Sequence, residues 1–256
     1  MQASIDWLPG TAMVFMLMFA RLGTMLMLMP GFGANGIPVR VRLGFALVFT
    51  MVMFPLVAGQ YPAVPASGFG VLAMLGHELE VGFILGGAAR LIMSAAQVAG
   101  ATIAYQSGLA FAQSADPSQG GVQGAMIGNF IAVLGVTLIF ATDLHHLVLA
   151  AVYSSYQMFA PTGDLMLADA AEMALDIVAG SFVVGVQMAA PFIVFGLVFY
   201  LGLGILARLM PQIQVFFVAM PANIGIGLLL FALLLTMMMG WYLGHVETQL
   251  SAMAGR

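Results

Sequence analysis

The chain has 256 residues, of which 62% are hydrophobic and only 6% are charged, whereas about a quarter of a soluble domain is charged. This composition excludes an ordinary soluble protein and indicates a multi-pass membrane protein. The net charge of −4 disfavours nucleic acid as a partner, and the absence of cysteine excludes disulfides, iron–sulfur clusters and thiol catalysis.

The first predicted element is an apolar segment over residues 8–29, with Arg21 inside it. The preceding stretch, MQASIDW, lacks the basic region that begins a cleavable signal peptide. We therefore expect residues 8–29 to be retained as the first membrane helix.

Five more apolar segments follow, each close to or above the roughly 20 residues that a membrane helix needs. Three of them are too long for a perpendicular crossing, because about 35 residues of helix measure roughly 50 Å against a hydrocarbon core of about 30 Å. Such helices must tilt, kink or project beyond the bilayer, and Pro191 is the expected kink in the fifth segment. The fourth segment forms either one helix or two that meet at Asp143. The five segments cover about residues 41–58, 70–104, 123–159, 173–207 and 213–244.

The predicted fold is therefore all-α and of the integral membrane type, with about six long, kinked hydrophobic helices arranged as hairpins. With six spans, the loops after the first, third and fifth segments share one side of the membrane. The loop after the first segment holds Arg40 and Arg42, and the loop after the fifth segment holds Arg208. The positive-inside rule then places these loops in the cytoplasm and both termini outside.

One loop, QSGLAFAQSADPSQGG at residues 106–121, is small, polar and glycine-rich in an otherwise apolar chain. Its glycines permit backbone angles that other residues avoid, and Asp116-Pro117 favours a turn. Irregular backbone at membrane depth is tolerated only against protein or water. The loop is therefore either an ordinary surface connection or the lining of an aqueous path.

The charged residues inside the apolar segments have a functional and a structural interpretation. Glu78 and Glu80 are candidates for a proton relay, since ionisable groups within spans are often functional. The structural interpretation, which we favour, places them near the end of a long helix. In that case Arg21 and Arg90 pair with carboxylates in the assembled protein.

The sequence Asp143-Leu-His145-His146 contains residue types that ligate metals. Adjacent histidines on a helix point about 100° apart, so both cannot easily share one ion. A hydrogen-bonded polar bend in the fourth segment is the favoured interpretation, and no metal is predicted.

Small residues occur at an i, i+4 spacing at Gly82 and Gly86, and glycines occur again at Gly202 and Gly204. Such residues let helix backbones approach closely, within the chain or against a partner. Enzyme signatures such as G-x-S-x-G, H-E-x-x-H and the P-loop are absent from the sequence. We expect no catalytic residues and no cofactor.

The order and spacing of these motifs resemble the FliR family, the flagellar member of the type III secretion export apparatus. The carboxyl half is the most specific part, where an apolar helix ends in Gly-x-x-x-Arg-x-x-Pro-Gln and a second proline follows. Leu144 and Gln214 depart from the family pattern, standing where the family usually has glycine and asparagine. The matching residues are Pro30, Ile37, Pro38, Arg40, Arg42, Glu78, Gly82, Gly86, Gly108, Ala112, Asp116, Pro117, Asp143, His145, His146, Ala190, Pro191, Gly204, Arg208, Pro211, Gln212, Phe216 and Pro221.

The resemblance implies an export-gate subunit, not an enzyme, in the bacterial inner membrane at the flagellar basal body. The partners it implies are FliP-like and FliQ-like subunits, FlhB-like and FlhA-like export proteins, exported unfolded polypeptides and lipid. By the same resemblance, residues 1–170 form a FliP-like part and residues 171–256 a FliQ-like helical hairpin, in one continuous folding unit.

The resemblance also implies roles for particular residues. Residues 106–121 would be a plug that closes the resting channel, and Gly82 and Gly86 would pack helices together. Arg208 would cap the carbonyl end of the fifth helix at a cytoplasmic hairpin tip, where Pro211 stops the helix. The candidate plug residues are Gly108, Phe111, Asp116, Pro117, Gly120 and Gly121. The candidate tip and packing residues are Gly204, Arg208, Pro211, Gln212 and Gln214.

Two alternatives stay open on the sequence alone. A stand-alone multi-pass transporter or ion channel would be expected to show internal repeats and ionisable residues at mid-membrane, and neither is clear here. The equivalent subunit of a virulence injectisome would share the same pattern, and overall likeness favours the flagellum.

Overall fold

The computed structural model describes residues 8–32, 37–63, 65, 67–110, 125–161 and 167–255, and the regular structure of this part is entirely helical. This confirms the predicted all-α fold. The helices are α1 (Leu8–Leu28), α2 (Val39–Val57), a 3-10 turn (Ala58–Gln60), α3 (Gly68–Met93), α4 (Ala95–Gln106), α5 (Ala125–Ala141), α6 (His145–Met158), α7 (Leu167–Leu209) and α8 (Val215–Met253).

Helix length and composition make the chain a membrane protein. Among the described residues, five helical stretches are long and apolar enough to cross a bilayer, and six if the bent pair α5–α6 counts as one. Helices α7 and α8 contain 43 and 39 residues. At about 1.5 Å per residue they measure roughly 65 and 58 Å, about twice the hydrocarbon thickness.

Two of the predicted segments are broken. The third is divided at Ser94, between α3 and α4, and the fourth is divided at residues 142–144, between α5 and α6. Asp143 adopts a left-handed φ of 60°, which ends one helix, and the chain bends by 82° before the next. Helix α7, in contrast, continues through Pro191.

The chain divides into two compact units. Unit 1 comprises residues 1–91, 143–177 and 248–256, and unit 2 comprises residues 92–142 and 178–247. The long helices α7 and α8 therefore contribute to both units. The division at residue 170 that the family resemblance implies stays a prediction.

The core of unit 1 is an apolar cluster in which methionine is prominent. Its buried members come from α1, α2, α3 and α6 and from the residue after the 3-10 turn: Leu17, Met18, Leu22, Met25, Met53, Val57, Tyr61, Met74, Val81, Leu85, Val152 and Tyr156. Methionine is flexible and fills irregular gaps between helices of different inclination.

Helices α1 and α3 approach closely at two glycines. A Cβ at Gly82 would overlap the Arg21 carbonyl, and a Cβ at Gly86 would lie 2.7 Å from the Met25 carbonyl oxygen and 2.8 Å from Leu28 Cβ. Because backbone atoms are in the way, a side chain at either position would force the helices apart. The i, i+4 spacing of small residues thus serves helix packing within this chain.

A buried arginine joins three helices of unit 1. Arg21 of α1 and Glu78 of α3 are both fully buried, and Arg21 Nε lies 2.6 Å from Glu78 Oε2. Arg21 Nη2 donates a second hydrogen bond to Glu78 Oε1 at 3.2 Å, so the pair is bidentate. The proton-relay interpretation of Glu78 gains no support from this geometry, because the carboxylate is engaged by a permanent cation.

The same guanidinium caps the end of α6. It donates to the carbonyl oxygens of Ser155 at 3.3 Å and Phe159 at 2.9 Å, which lie in the last turn of that helix and just after it. Both carbonyls lie at the end of the helix, where a cation is favourable for the helix dipole, and the Ser155 carbonyl also accepts from the backbone N–H of Phe159 at 2.9 Å. Arg21 therefore satisfies groups on two other helices at once.

Two tyrosines cover the arginine pair. The guanidinium carbon of Arg21 lies 4.2 Å from the centroid of the Tyr156 ring, a cation–π contact, and the Tyr61 and Tyr156 rings are 6.3 Å apart. Burial raises the pKa of Tyr61, and the Glu78 carboxylate adds to the rise, so the Tyr61 hydroxyl stays protonated.

Unit 2 is held by close helix contacts and by the hairpin of α7 and α8. Helices α4 and α5 meet at Gly100 and Gly128, where a Cβ on Gly100 would overlap the backbone of Gly128. Gln97 donates to Asn129 beside this contact at 3.2 Å.

Three contacts fix the antiparallel register of the hairpin. Ser181 faces His245 at 3.1 Å, the rings of Phe192 and Phe231 are 6.5 Å apart, and Tyr200 accepts a hydrogen bond from Asn223 at 3.3 Å. In each successive pair the α7 number rises as the α8 number falls. The two helices therefore run side by side in opposite directions from the turn that joins them.

The glycine contact predicts a sharp difference between neighbouring positions. Gly86→Leu should lower the free energy of unfolding by about 1–3 kcal/mol through overpacking against α1. Gly87→Leu should have little effect, because a Cβ at Gly87 meets nothing within 4 Å among the described residues. Denaturant unfolding of the detergent-purified chain measures both. Equal losses in the two variants would contradict the close approach of α1 and α3.

The arginine pair predicts that one substitution is worse than two. Arg21→Met should lower the free energy of unfolding by about 3–5 kcal/mol, because the Glu78 carboxylate stays buried without its counter-charge. The double variant Arg21→Met/Glu78→Met should lose less, since neither charge remains. The same unfolding measurement decides the matter, and a double variant at least as unstable as the single one would show that the pair is not the source of the loss.

Candidate functional site

The polar loop predicted as a plug begins at the end of α4. The last residue of α4, Gln106, and the two that follow, Ser107 and Gly108, form a turn that we call the exit turn. The backbone N–H of Ser107 donates to the Ile103 carbonyl at 2.9 Å, and that of Gly108 donates to the Tyr105 carbonyl at 3.2 Å. Both bonds terminate the helix, and Gly108 adopts a left-handed φ of 72° that favours glycine.

The exit turn is seated against both helices of the hairpin. A Cβ at Gly196 of α7 would overlap the Gln106 side chain, and a Cβ at Gly227 of α8 would overlap the side chain of Ser107. Ser107 is fully buried, and its hydroxyl donates to the Ile103 carbonyl at 2.7 Å. The start of the loop is therefore fixed in unit 2 by side-chain and backbone contacts.

Asn223 of α8 contacts the exit turn with its side-chain amide. Its Nδ2 donates to the Gln106 carbonyl at 3.5 Å and to the Tyr200 hydroxyl at 3.3 Å. Asn223 is only 3% exposed, and its Oδ1 has no hydrogen-bond partner among the described residues. A cavity of about 10 Å³ lies beside it, lined by Gly108, Tyr200 and apolar side chains of α7 and α8.

Most of the predicted plug lies outside the described residues. Of its candidate residues, only Gly108 is described, and it lies in the exit turn. The others fall beyond the described part of the chain: Phe111, Asp116, Pro117, Gly120 and Gly121. The role of the loop therefore stays a proposal.

The predicted hairpin tip coincides with the turn between α7 and α8. Arg208 lies in the last turn of α7, which ends at Leu209, and Pro211, Gln212 and Gln214 lie in the exposed connection before Val215. The backbone N–H of Met210 donates to the Leu206 carbonyl at 2.9 Å, and the Gln214 carbonyl accepts from Phe217 at 3.0 Å. Pro211 thus lies two residues after the end of α7, and Gln214 directly precedes the start of α8.

Two glycines near this tip have open space around them. A Cβ at Gly202 or Gly204 would meet no atom within 4 Å among the described residues. Close packing at these positions, which the sequence predicts, is therefore not made within the described part of this chain. The predicted packing at Gly202 and Gly204 stays a prediction.

The turn between α5 and α6 brings Asp143, His145 and His146 together. Their ligand atoms all lie within 4.8 Å of one another, and the two imidazole rings are 4.2 Å apart. The expectation that adjacent histidines point away from each other is wrong here, because α6 begins at His145 and the pair is not in mid-helix. His146 Nδ1 donates to the Asp143 carbonyl at 3.1 Å.

This turn carries no metal proposal. The side chains of His146 and Asp143 are 68% and 80% exposed, and the positive end of the α6 dipole faces them. An exposed site at that end of a helix disfavours a bound cation.

Sequence reasoning did not single out two of the buried polar contacts. Asn223 is one amide in a long apolar run, and a polar residue in such a run is itself a signal. Ser181 and His245 form the other contact, which links α7 to α8 and also reaches the Ile92 carbonyl at 3.4 Å. Ser181 and His245 are 64 residues apart in the sequence, so no local sequence pattern predicts their contact.

Comparison with known proteins identifies the family of this chain. The family model of bacterial export proteins, family 1, matches residues 12–249. The chain is 45% identical to the flagellar biosynthetic protein FliR of Caulobacter vibrioides over 220 residues, which cover 86% of this chain and 87% of that protein. It is 30% identical to FliR of Bacillus subtilis over 236 residues, covering 90% and 87% of the two chains.

A more distant match comes from a secretion system outside the flagellum. The Yop proteins translocation protein T of Yersinia pestis is 25% identical over 205 residues, covering 78% of this chain and 77% of that protein. The flagellar relatives named above match more strongly and over more of the chain, which disfavours the injectisome alternative. The chain belongs to the FliR family of bacterial export proteins, the export-gate subunits of the flagellar type III secretion system.

Proposed function

We propose that this subunit forms part of the wall of a protein-export channel, in contact with other chains along most of α7. The observation that carries this proposal is how far exposed apolar side chains extend along that helix. Leu175 is 70% exposed near one end and Leu209 is 73% exposed at the other. The 34 residues between them span about 51 Å of helix, whereas the hydrocarbon core is about 30 Å thick.

Tilting does not place this whole surface in lipid. Membrane helices are inclined by up to about 40°, and at that angle about 51 Å of helix still rises by about 39 Å. Part of the apolar surface of α7 would then face water unless other protein covered it. Because a stand-alone transporter must bury or hide such a surface by itself, the exposed length of α7 supports a subunit of a larger assembly.

The proposed assembly follows from the family. The neighbouring chains would be FliP-like and FliQ-like subunits, joined by FlhB-like and FlhA-like export proteins, in the bacterial inner membrane at the flagellar basal body. The substrates would be unfolded flagellar polypeptides. This role is one of lining and closing a passage, and it needs neither a cofactor nor a catalytic residue.

Gly204 marks one proposed contact with a neighbouring chain. A small residue on an exposed helix face permits a second helix to approach closely, and Gly204 has the space for it. The contact would lie near the hairpin tip that holds Arg208.

A substitution at this contact should separate assembly from folding. Gly204→Leu should weaken subunit association by roughly 1–3 kcal/mol through overpacking. It should leave the stability of the isolated chain unchanged, because the new side chain meets nothing within the described residues. Complex yield after gentle extraction and unfolding of the isolated chain are the two measurements. Full complex yield, or an equal loss in the isolated chain, would contradict the proposed contact.

We further propose that segment 106–121 closes the resting channel. A small, polar, glycine-rich segment can lie in a wet pore, since its backbone groups exchange partners with water instead of being buried unsatisfied in lipid. Such a segment can move aside for a substrate without breaking a packed core. The exit turn, whose contacts are described above, fixes where the segment starts.

Removing the segment tests its role as a plug. Replacing residues 111–121 by a short Gly/Ser linker should leave the complex assembled, because the exit turn keeps its contacts, and should make it leaky to ions and small solutes. Conductance of the purified complex in planar bilayers measures the leak, and the native mass of the complex is the control. Normal mass with an unchanged leak would mean that the segment is only a connector.

A further inference from the structure

We infer that α3 carries a docking surface for a membrane helix of a different subunit, which presents a basic side chain to Glu80 and an acidic side chain to Arg90. The inference rests on the proposed function in one respect, that the chain works in an assembly with other subunits. It concerns one face of α3, all residues of which are described.

Helix α3 has two faces with the same residue spacing. Its inward face packs within unit 1, and buried residues recur there at alternating intervals of four and three: Met74, Glu78, Val81, Leu85 and Ala88. Its outward face shows the same alternation, and we call this line of residues the outer seam: Ala73, Gly76, Glu80, Phe83, Gly87 and Arg90. Such intervals align side chains along one side of a helix, which is the pattern by which one helix packs lengthwise against another.

The outer seam has no partner within the described part of the chain. Glu80 and Arg90 are exposed, and Phe83 is 62% exposed. A Cβ at Gly76 or Gly87 would meet nothing within 4 Å among the described residues. The ion pairs of the described residues include neither Glu80 nor Arg90. The seam therefore has a bulky side chain, open space and two charges available to another molecule.

Neither lipid nor water fits the whole of the outer seam. Helix α3 belongs to an apolar stretch of 39 residues, Gly68–Gln106, which is long enough to cross a bilayer. Lipid would leave the Glu80 carboxylate without a counter-charge, which is costly in hydrocarbon. Water would leave Phe83 and the neighbouring, equally exposed Leu72 unfavourably solvated. A protein helix of complementary charge satisfies the charged and the apolar positions together.

A second copy of this chain does not supply that helix. In an antiparallel pair of α3 helices, Glu80 would face Arg90 and Phe83 would face Gly87, so the seam would complement itself. Copies that insert into the membrane with one topology have parallel α3 helices, however. Parallel pairing places Glu80 against Glu80 and Arg90 against Arg90, and like charges across an interface repel. The occupant is therefore a different chain.

The seam also defines the chemistry of its partner. Ten positions separate Glu80 from Arg90, which corresponds to about 15 Å of helix. The partner helix carries a basic and an acidic residue at this separation. It carries a small residue opposite Phe83 and a bulky apolar residue opposite Gly87, because a close helix contact needs the bulk on one side only. The order of the two charges gives the direction of the partner helix relative to α3.

Substitutions on the two faces of α3 test the seam. Glu80→Gln and Gly87→Leu should each weaken association with the other subunits about tenfold, since the first removes a charge pair and the second fills the space for a partner side chain. Both should leave the thermal stability of the isolated chain unchanged. Glu78→Gln is the matched control on the inward face, and it should destabilise the isolated chain because Arg21 loses its counter-charge. Native mass over a dilution series measures the fraction of the chain that is in the complex.

Two further measurements identify the partner. Against a basic partner residue, Glu80→Arg should weaken association more than Glu80→Gln does, whereas a Glu80 that faces lipid or water would give equal association in both variants and the unmodified chain. A photoactivatable phenylalanine analogue at position 83 should form an adduct with an apolar helix of a different subunit that carries both charges. An adduct with lipid alone, or with a second copy of this chain, would overturn the inference.

The outcomes separate this inference from the proposed function. If the unmodified chain is never recovered in a complex, the proposed function fails and the docking surface fails with it. If the unmodified chain is recovered in a complex and the Glu80→Gln and Gly87→Leu chains associate equally well, the assembly stands and the outer seam is not one of its contacts. Should Glu80→Gln fail to fold, Gly87→Leu decides, because that position has open space in the described part of the chain.

Discussion

The ion pair between Arg21 and Glu78 is the interaction on which the first unit of this protein depends. A charge that is removed from both water and lipid must be neutralised and fully hydrogen-bonded, or it destabilises the fold by several kilocalories per mole. Arg21 meets this requirement with one carboxylate, two helix-end carbonyls and one aromatic ring, drawn from α3, from the end of α6 and from Tyr156. The requirement for complete pairing thus fixes how α1, α3 and α6 meet.

The same requirement is met differently in the second unit, where the buried polar groups are neutral. Ser181 and His245 pair across the hairpin, and Ser107 is satisfied by its own helix. Among the described residues of this unit, the Asn223 Oδ1 and the Tyr242 hydroxyl have no hydrogen-bond partner. The charged groups that the first unit buries are thus paired with each other, whereas the second unit leaves single buried oxygens without a partner in the described residues.

Much of the architecture could be predicted from sequence, because long apolar runs leave little choice but membrane helices. The glycine spacing at 82 and 86 predicted a close approach, though not that α1 would be the partner. Arg21 and Glu78 are 57 residues apart in the sequence, and no local sequence pattern encodes a contact at that separation. The break at Ser94 likewise lacks a strong local signal, whereas Asp143 was a foreseeable break. The contact of Asn223 with the end of α4 is likewise visible only in the fold, which brings α8 to that helix end.

The apolar surface that this chain leaves exposed makes its function inseparable from assembly. The central claim is therefore that the chain works as one subunit of a hetero-oligomeric export gate. The most direct measurement is the native mass of the complex extracted in a gentle detergent. We expect a stable particle several times heavier than the 26.9 kDa chain, containing at least two other kinds of subunit. A chain that is extracted alone and transports solute by itself in vesicles would contradict it.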